Sequence, residues 1–369
     1  MGLFNFYMFF LLRFPLELFI NRLLYYICQN NIMNLKDRFF EFFENEIIFS
    51  VSLILAIVSC FFVRPSMNYL NYINWNTILL LFVIMFIVEV LKNLSVFEIL
   101  IHKLFNRVSD TRALVLFLVF ACFFSSVFIT NDVALIIFAP FTILALKKLG
   151  RVDLLILAIA LETIAANIGC MILPIGSPHN IILYTVSHIP FGSFCLILFP
   201  YIIVSAIFLA LMTLFIPKDI VHLPDMGEIE IDRKDFIKRC FLGIDYFLLL
   251  TFIVLFILIG NLENIPFINS LLSKGIVGNE VLFGIISSQI ISNVPAAILL
   301  TTFSTNYKAI IIGINLGGLG TLIASMANII SYKILAKEFN ELRRRYLLIF
   351  TVLNVVLLFI LLGVYYLTF

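Results

Sequence analysis

Charge is what this sequence has least of. Its 369 residues hold 24 Lys and Arg and 22 Asp and Glu, 12% of the chain, where a soluble domain carries roughly 25%. So few charges cannot cover the surface of a soluble protein of this size. That scarcity excludes a cytosolic enzyme and a disordered chain. The formal net charge of +2 is too small to hold a polyanion, so no nucleic-acid partner is expected. Cysteine is sparse as well. Cys28, Cys60, Cys122, Cys170, Cys195 and Cys240 include no C-x-x-C pair, and four of them lie in apolar runs. They read as small apolar core residues, not as a disulfide framework.

What the chain has is apolar surface: 63% hydrophobic residues and a mean hydropathy of +1.14. Its solvent is lipid. A spanning helix takes about 20 residues, so the length allows roughly ten crossings with their loops. Clear apolar runs lie at 47–63, 77–94, 111–129, 133–146, 153–166, 194–216, 241–260, 281–291 and 346–368. Residues 1–44 read as an interfacial or cytoplasmic segment, because Arg13, Glu17 and Arg22 are costly at mid-bilayer. Met33 offers an alternative start. Within 95–110, Val96, Ile99, Leu100, Leu104 and Val108 recur at helical spacing opposite charged residues, the pattern of a helix lying in the interface. Residues 217–240 form the one long polar stretch and read as a linker.

The chain contains two diverged copies of one pattern. Asn167-Ile-Gly-Cys-Met-Ile-Leu-Pro-Ile-Gly-Ser-Pro-His-Asn-Ile-Ile-Leu-Tyr184 aligns without gaps on Asn315-Leu-Gly-Gly-Leu-Gly-Thr-Leu-Ile-Ala-Ser-Met-Ala-Asn-Ile-Ile-Ser-Tyr332, at an offset of 148 residues. Eight of the eighteen positions are identical, Asn, Gly and Ser among them. Upstream, Ser125-Ser-Val-Phe-Ile-Thr-Asn131 matches Ser287-Ser-Gln-Ile-Ile-Ser-Asn293 at an offset of 162 residues. The arms flanking Asn293 are too short to cross about 30 Å of hydrocarbon at 1.5 Å per residue, so 280–303 reads as a re-entrant hairpin. Residues 111–146 are its longer counterpart. Two full crossings, 194–216 and 241–260, then separate the copies, so the second runs opposite to the first. The expected fold is therefore an all-α polytopic membrane protein, an inverted-topology repeat with two re-entrant hairpins and two discontinuous helices. Repeat 1 covers 45–192, repeat 2 covers 193–335 with the linker 217–240, and 336–369 is a C-terminal transmembrane helix. With 217–240 on the cytoplasmic side, 19 Lys and Arg fall inside and only Arg64, Lys274 and Lys308 outside. The expected location is the cell membrane, multi-pass.

Backbone without helical pairing at membrane depth is tolerated only where protein or a water-filled cavity satisfies it. Gly169, Pro174, Gly176 and Pro178 interrupt the first copy; Gly317, Gly318 and Gly320 interrupt the second. Such breaks expose carbonyl and N–H groups that bind ions. The candidate substrate- and ion-binding residues are Ser125, Ser126, Thr130, Asn131, Asp132, Asn167, Gly169, Gly176, Ser177 and Asn180 in the first copy. In the second they are Ser288, Ser292, Asn293, Asn315, Gly317, Gly318, Thr321, Ser325 and Asn328. Amide and hydroxyl oxygens replace a cation's hydration shell, while half-helix N-termini favour an anion without Lys or Arg. Three ionisable residues lie at membrane depth: Asp132, Glu162 and His179. Asp132 is the coupling candidate for a proton or cation, or else an acceptor capping the second hairpin arm. Glu162 reads equally as a neutral buried acid or a relay. His179, opposite Ala327 of the second copy, reads as a structural histidine. No metal other than Na⁺ and no cofactor is expected. Paired Asp, Ser with His, and a His/Glu metal cluster do not occur at useful spacing, so an enzyme is not expected.

Thr130-Asn-Asp-Val-Ala-Leu-Ile-Ile-Phe-Ala-Pro140 resembles the T/S-N-D-x-A-L-x-x-x-x-P hairpin of arsenite-permease-like proteins. Asn167-Ile-Gly…Pro174-Ile-Gly-Ser-Pro-His-Asn180 resembles the G-x-x-x-x-P-x-G-x-P-x-N segment of the ion transporter superfamily. That group holds citrate-transporter-like permeases, divalent anion/sodium symporters, arsenite permeases and some sodium/proton antiporters. Ser292-Asn-Val-Pro295 and Gly317-Gly-Leu-Gly-Thr321 are similar to its second hairpin tip and second break. The resemblance implies an elevator-type secondary carrier, often a homodimer, with scaffold and transport domains. Where sodium/dicarboxylate members read Ser-Asn-Thr at each tip and use both Thr for substrate carboxylates, this chain has Asp132 and Val294. The Asp tip resembles the arsenite-permease branch, which couples to protons or works with an ATPase subunit. The expected function is transport of a small anion (an inorganic oxyanion, an arsenite-like species or a carboxylate) coupled to H⁺ or Na⁺. A sodium/proton antiporter on the same fold is the alternative.

Overall fold

The computed structural model describes residues 47–94, 110–220 and 236–368. The expectations for residues 1–44, for the interfacial helix within 95–109 and for most of the 217–240 loop lie outside the described residues. Among the described residues all regular structure is helical. Six helical segments are long and apolar enough to cross a membrane: Trp75–Asn93, Thr111–Ile129, Val152–Gly169, Phe191–Thr213, Phe236–Glu263 and Asn340–Thr368. A seventh is reached if Pro266–Ile276 and Glu280–Ile291, bent by 119°, count as one. Among the described residues, several apolar runs are spent on short helices. Asn293–Phe303 and Tyr307–Gly317 have 11 residues each, about 16 Å at 1.5 Å per residue. The helix over Pro266–Ile276 was not among the apolar runs read from sequence, because Asn269, Ser273 and Lys274 interrupt its hydropathy.

The described residues form two compact units. The first holds those up to Phe86 together with Cys240–Lys274. It contains α1 (Ile47–Ser59), α2 (Tyr69–Tyr72), the first part of α3 (Trp75–Asn93), the end of α9 (Phe236–Gly243), α10 (Tyr246–Glu263) and most of α11 (Pro266–Ile276). Helix α10 begins where Asp245 caps it, accepting from the Leu248 N–H at 3.0 Å. It packs along α1 and α2. The Phe49 ring meets Phe247 edge-on at 5.9 Å. The Asn261 amide donates to Ser59 Oγ at 2.8 Å and to the Tyr69 hydroxyl at 3.0 Å, tying the three helices through one buried side chain.

The second unit holds Ile87–Arg239 and Gly275–Phe369. Its helices are α4 (Thr111–Ile129), α5 (Asn131–Lys148), α6 (Leu155–Gly169), α7 (Pro178–Ser187), α8 (Phe191–Thr213), α12 (Glu280–Ile291), α13 (Asn293–Phe303), α14 (Tyr307–Gly317), α15 (Met326–Glu338) and α16 (Arg343–Thr368). Helices α4, α5 and α6 pack on one another, as do α12, α13 and α14. The two triplets are joined crosswise: α5 packs on α15, and α13 on α7. Helix α6 is buried along almost its whole length, whereas Phe124, Leu196 and Phe359 are exposed, as residues facing lipid are. At one end, Thr111 Oγ1 donates to the Pro217 carbonyl at 2.6 Å, Arg112 Nε to the Ile216 carbonyl at 2.9 Å, and Arg151 pairs with Asp219. Lys147 lies 5.8 Å over the Phe339 ring. Basic residues remote in sequence thus gather at one end of this unit.

Candidate functional site

The candidate residues concentrate at four backbone irregularities of the second unit. Two are hairpin tips. Thr130 between α4 and α5 has φ 68° and ψ 151°, and Ser292 between α12 and α13 has φ 72° and ψ 156°. Side chains rarely adopt this region, and it reverses the chain within one residue. Neither hydroxyl caps its following helix. The other two are breaks. Helix α6 stops at Gly169, the chain makes a 3₁₀ turn at Pro174–Gly176, and α7 restarts behind an extended Ser177. Helix α14 stops at Gly317, a 3₁₀ turn follows at Leu322–Ala324, and α15 restarts behind an extended Ser325. Pro174 and Pro178 lack N–H groups, which explains the first break. Ser177 caps α7, its Oγ accepting from the Asn180 N–H at 3.4 Å.

Six asparagines hold these pieces. Asn167 Nδ2 donates to Asn328 Oδ1 at 2.7 Å, and Asn315 Nδ2 donates to Asn180 Oδ1 at 2.7 Å. Each bond links the helix before one break to the helix after the other. Asn180 donates to the Cys170 carbonyl at 3.2 Å; Asn328 donates to the Gly318 carbonyl at 3.1 Å and the Thr321 carbonyl at 3.0 Å. Asn131 Nδ2 reaches Asn167 Oδ1 at 3.0 Å and Ser325 Oγ at 3.3 Å, and Ser325 Oγ also donates to Asn167 Oδ1 at 3.1 Å. Carbonyls accept only, so the chain of amides has a fixed direction. The Gly318 and Thr321 carbonyls orient Asn328, which orients Asn167, which orients Asn131. Asn131 Oδ1 is left over, buried, with no hydrogen-bond partner among the described residues. Asn293, the sixth, lies buried at its tip and accepts from the Ser292 hydroxyl at 3.4 Å.

Glycines set how closely the tips approach the breaks. A Cβ on Gly169 would stand 2.0 Å from the Phe123 carbonyl oxygen and 2.2 Å from Ser126 Oγ. One on Gly317 would stand 2.6 Å from Ser288 Oγ. Each hydroxyl turns back onto its own helix, Ser126 to the Phe123 carbonyl at 2.8 Å and Ser288 to the Gly284 carbonyl at 2.7 Å. Gly176 lies against the Cys170 carbonyl, and Gly318 beside the Asn293 amide. Ser125 is buried on α4, while the Thr321 side chain is exposed. Asp132, in the first turn of α5, is part-buried and within electrostatic reach of Cys170 in the first break.

Glu162 lies off this network. It is fully buried on α6; Thr142 donates to its Oε1, and Oε2 has no hydrogen-bond partner among the described residues. His179 lies within the network, its Nε2 3.1 Å from Ser177 Oγ and 3.3 Å from Asn315 Oδ1. Sequence reasoning missed Gln289. Its Nε2 donates to the Gly317 carbonyl at 2.8 Å and the Leu319 carbonyl at 2.9 Å, and its Oε1 accepts from the Thr321 N–H at 2.8 Å. The available signal was a polar residue beside Ser287 and Ser288 in an otherwise apolar arm; its repeat position, Val127, is apolar and drew no attention to it.

Chemically, the arrangement offers two kinds of recognition. Asn131 Oδ1 is a buried acceptor to which no described residue donates, and a carbonyl oxygen so placed can face a cation or a hydrogen-bond donor. Helices α5, α7, α13 and α15 all begin at the tips and breaks, and their N–H ends favour negative charge.

Comparison with known proteins follows the same residues. A family model described as "Citrate transporter" matches residues 46–307, covering the first break and both tips. The chain is 30% identical over 322 residues to an uncharacterized transporter of Methanocaldococcus jannaschii, covering 77% of this chain and 87% of that one. It is 29% identical over 306 residues to the inner membrane protein YbiR of Escherichia coli, covering 71% of this chain and 80% of that one. The putative transporter arsB of Dictyostelium discoideum is 30% identical over 162 residues, 42% of this chain and 27% of that one.

Proposed function

The chain belongs to the citrate transporter family and is a membrane transporter of the citrate and arsenite permease type, not an enzyme, and from that premise we propose that it is a secondary carrier for a small anion. The anion is an inorganic oxyanion, an arsenite-like species or a carboxylate. It moves by elevator-type alternating access, coupled to H⁺ or Na⁺. The observation that carries this reading is the crosswise asparagine network ending at the unpartnered Asn131 Oδ1. The bonds to Asn167 and Ser325 fix the Asn131 amide nitrogen and so hold its carbonyl oxygen in one direction, the preorganisation an ion-binding ligand atom needs. In this reading Asn131, with Thr130, Ser125 and Ser126, faces the coupling ion. The anion lies against the N-termini of α5 and α13. Asp132 carries the coupling charge; its counterpart Val294 carries none, so the site is asymmetric.

The two copies form an inverted-topology repeat in this proposal, with α4–α5 and α12–α13 as the hairpins and α6–α7 and α14–α15 as the broken helices. Reciprocal bonds at an offset of 148 residues, Asn167 to Asn328 and Asn315 to Asn180, support that pairing. The carrier is a homodimer in the cell membrane with 217–240 cytoplasmic, and an ATPase subunit is a candidate partner.

The test is uptake of a panel of radiolabelled anions into proteoliposomes, with and without Na⁺ and a pH gradient. Uptake of one anion driven by an ion gradient is expected, with Asp132→Asn abolishing that drive. Intact, equally pH-dependent transport by D132N would remove Asp132 from coupling. Proton movement on Na⁺ addition with no anion present would make the protein a sodium/proton antiporter instead.

A further inference from the structure

The two halves of the asparagine network share two central links; the Asn328–Thr321, Ser325–Asn167 and Asn315–Ile311 bonds each occur in one half alone. At an offset of 148 residues, the bond from Asn167 to Asn328 maps onto that from Asn315 to Asn180. The donation of Asn180 to the Cys170 carbonyl maps onto that of Asn328 to the Gly318 carbonyl. The ends differ. In the first half, the amide nitrogen of Asn131 docks between Asn167 Oδ1 and Ser325 Oγ. The equivalent acceptors in the second half are Asn315 Oδ1 and Ser177 Oγ. The nitrogen between them is not that of Asn293, the counterpart of Asn131. It is His179 Nε2, at 3.3 and 3.1 Å. Among the described residues the Asn293 side chain has one hydrogen bond, from the Ser292 hydroxyl. The counterpart of His179 is Ala327, so nothing competes with Asn131 for its own dock.

Hydrogen-bond direction shows what the ring does there. The Cys170 carbonyl accepts only, so Asn180 turns its Nδ2 toward it and its Oδ1 toward Asn315. Asn315 Nδ2 donates to that oxygen and to the Ile311 carbonyl at 2.9 Å. Asn315 therefore presents Oδ1 to His179, and Nε2 carries a hydrogen to donate. The imidazole is a donor standing in an asparagine's place.

We propose that His179 is the specificity-determining residue that closes the second half-site to a monovalent cation. It fills the dock that would otherwise fix the Asn293 amide, so the Asn293 carbonyl is not held as a preorganised acceptor. Only the Asn131 half then takes a cation. This rests on the carrier reading above.

The test compares wild type with His179→Ala, which gives the second half the residue found at Ala327, and with His179→Gln, whose amide keeps a donor in the dock. Two readouts are taken: Na⁺ dependence of radiolabelled anion uptake in proteoliposomes, and Na⁺-dependent melting of the detergent-solubilised protein without anion. H179A is expected to gain one Na⁺ site. Its Hill coefficient for Na⁺ rises by up to about one, the increment of one added site. Its melting temperature gains a further ~2–4 °C in Na⁺ over that of wild type. H179Q stays at the wild-type value in both. An H179A protein with the same Na⁺ slope and the same Na⁺-dependent melting as wild type overturns the proposal, as does a gain by H179Q equal to that of H179A. H179S serves as a second variant with the same expectation where H179A fails to insert. If wild type takes up no anion from the panel, the carrier reading fails, and the melting comparison still counts the cation sites.

Discussion

At the scale of single residues, the second unit depends on side chains that are absent as much as on those present. Gly169 was legible as a helix breaker, but its tighter constraint is contact: the backbone of α4 occupies the space a Cβ would need. Gly169→Ala must push α4 from α6 or distort the break, an overpacking cost of about 1–3 kcal/mol or more. Gly192, at the start of α8, has nothing within 4 Å of the same position. The expected outcome is a clearly lower melting temperature and impaired transport for G169A, against near wild-type behaviour for G192A. Thermal unfolding in detergent and reconstituted uptake check the pair. The asparagines were legible as candidates because they recur between the copies. Their partners were not, since a hydrogen bond spanning 161 residues, as from Asn167 to Asn328, leaves no local mark. The same blindness explains why His179 looked merely structural. Only the bonds to Asn315 and Ser177 reveal that it stands where an asparagine docks in the other half.

At the scale of elements, the hairpin tips are the strained parts. Thr130 and Ser292 hold a positive φ with extended ψ, a region nearly exclusive to glycine that costs of order 1–3 kcal/mol each. The cost persists because tips and breaks pack around them. Thr130→Gly relieves it and Thr130→Ala does not, so T130G is expected to melt above T130A although glycine loses more entropy on folding. Both variants lose the hydroxyl, so both are expected to transport less than wild type. Equal melting of the two would show that the tip stores no such strain. The sequence marked where these elements stop, because Asn, Ser, Gly and Pro interrupt apolar runs there. It did not reveal the helix over Pro266–Ile276, where polar residues mask a helical segment, nor how sharply it turns into α12.

At the scale of the whole molecule, the distribution of charge becomes geometry. Arg112, Lys147 and Arg151 reach one end of the second unit, through contacts with Ile216, Phe339 and Asp219. In the proposed orientation, which a positive-inside bias favours, this end is the cytoplasmic one. Single-cysteine variants at Lys218 and Lys308 provide the test. Membrane-impermeant thiol reagent is expected to label K308C from outside intact cells, and K218C only in inverted vesicles. The reverse pattern would invert the proposed orientation.

Composition and pattern determined, with no structure at all, that lipid is the solvent, that the chain is helical, that it carries two copies of one motif, and where the breaks fall. Those properties are local or statistical: the scarcity of 46 charges among 369 residues leaves no other medium, and Gly, Pro and Asn interrupt helices wherever they fold. Tertiary structure alone decided which asparagine faces which, that no described residue donates to Asn131 Oδ1, that Gln289 straps α12 to the second break, and that His179 Nε2 stands between Asn315 Oδ1 and Ser177 Oγ. Each of these follows from contacts between residues far apart in the chain. Hydrogen-bond direction passes from one amide to the next only once those contacts exist.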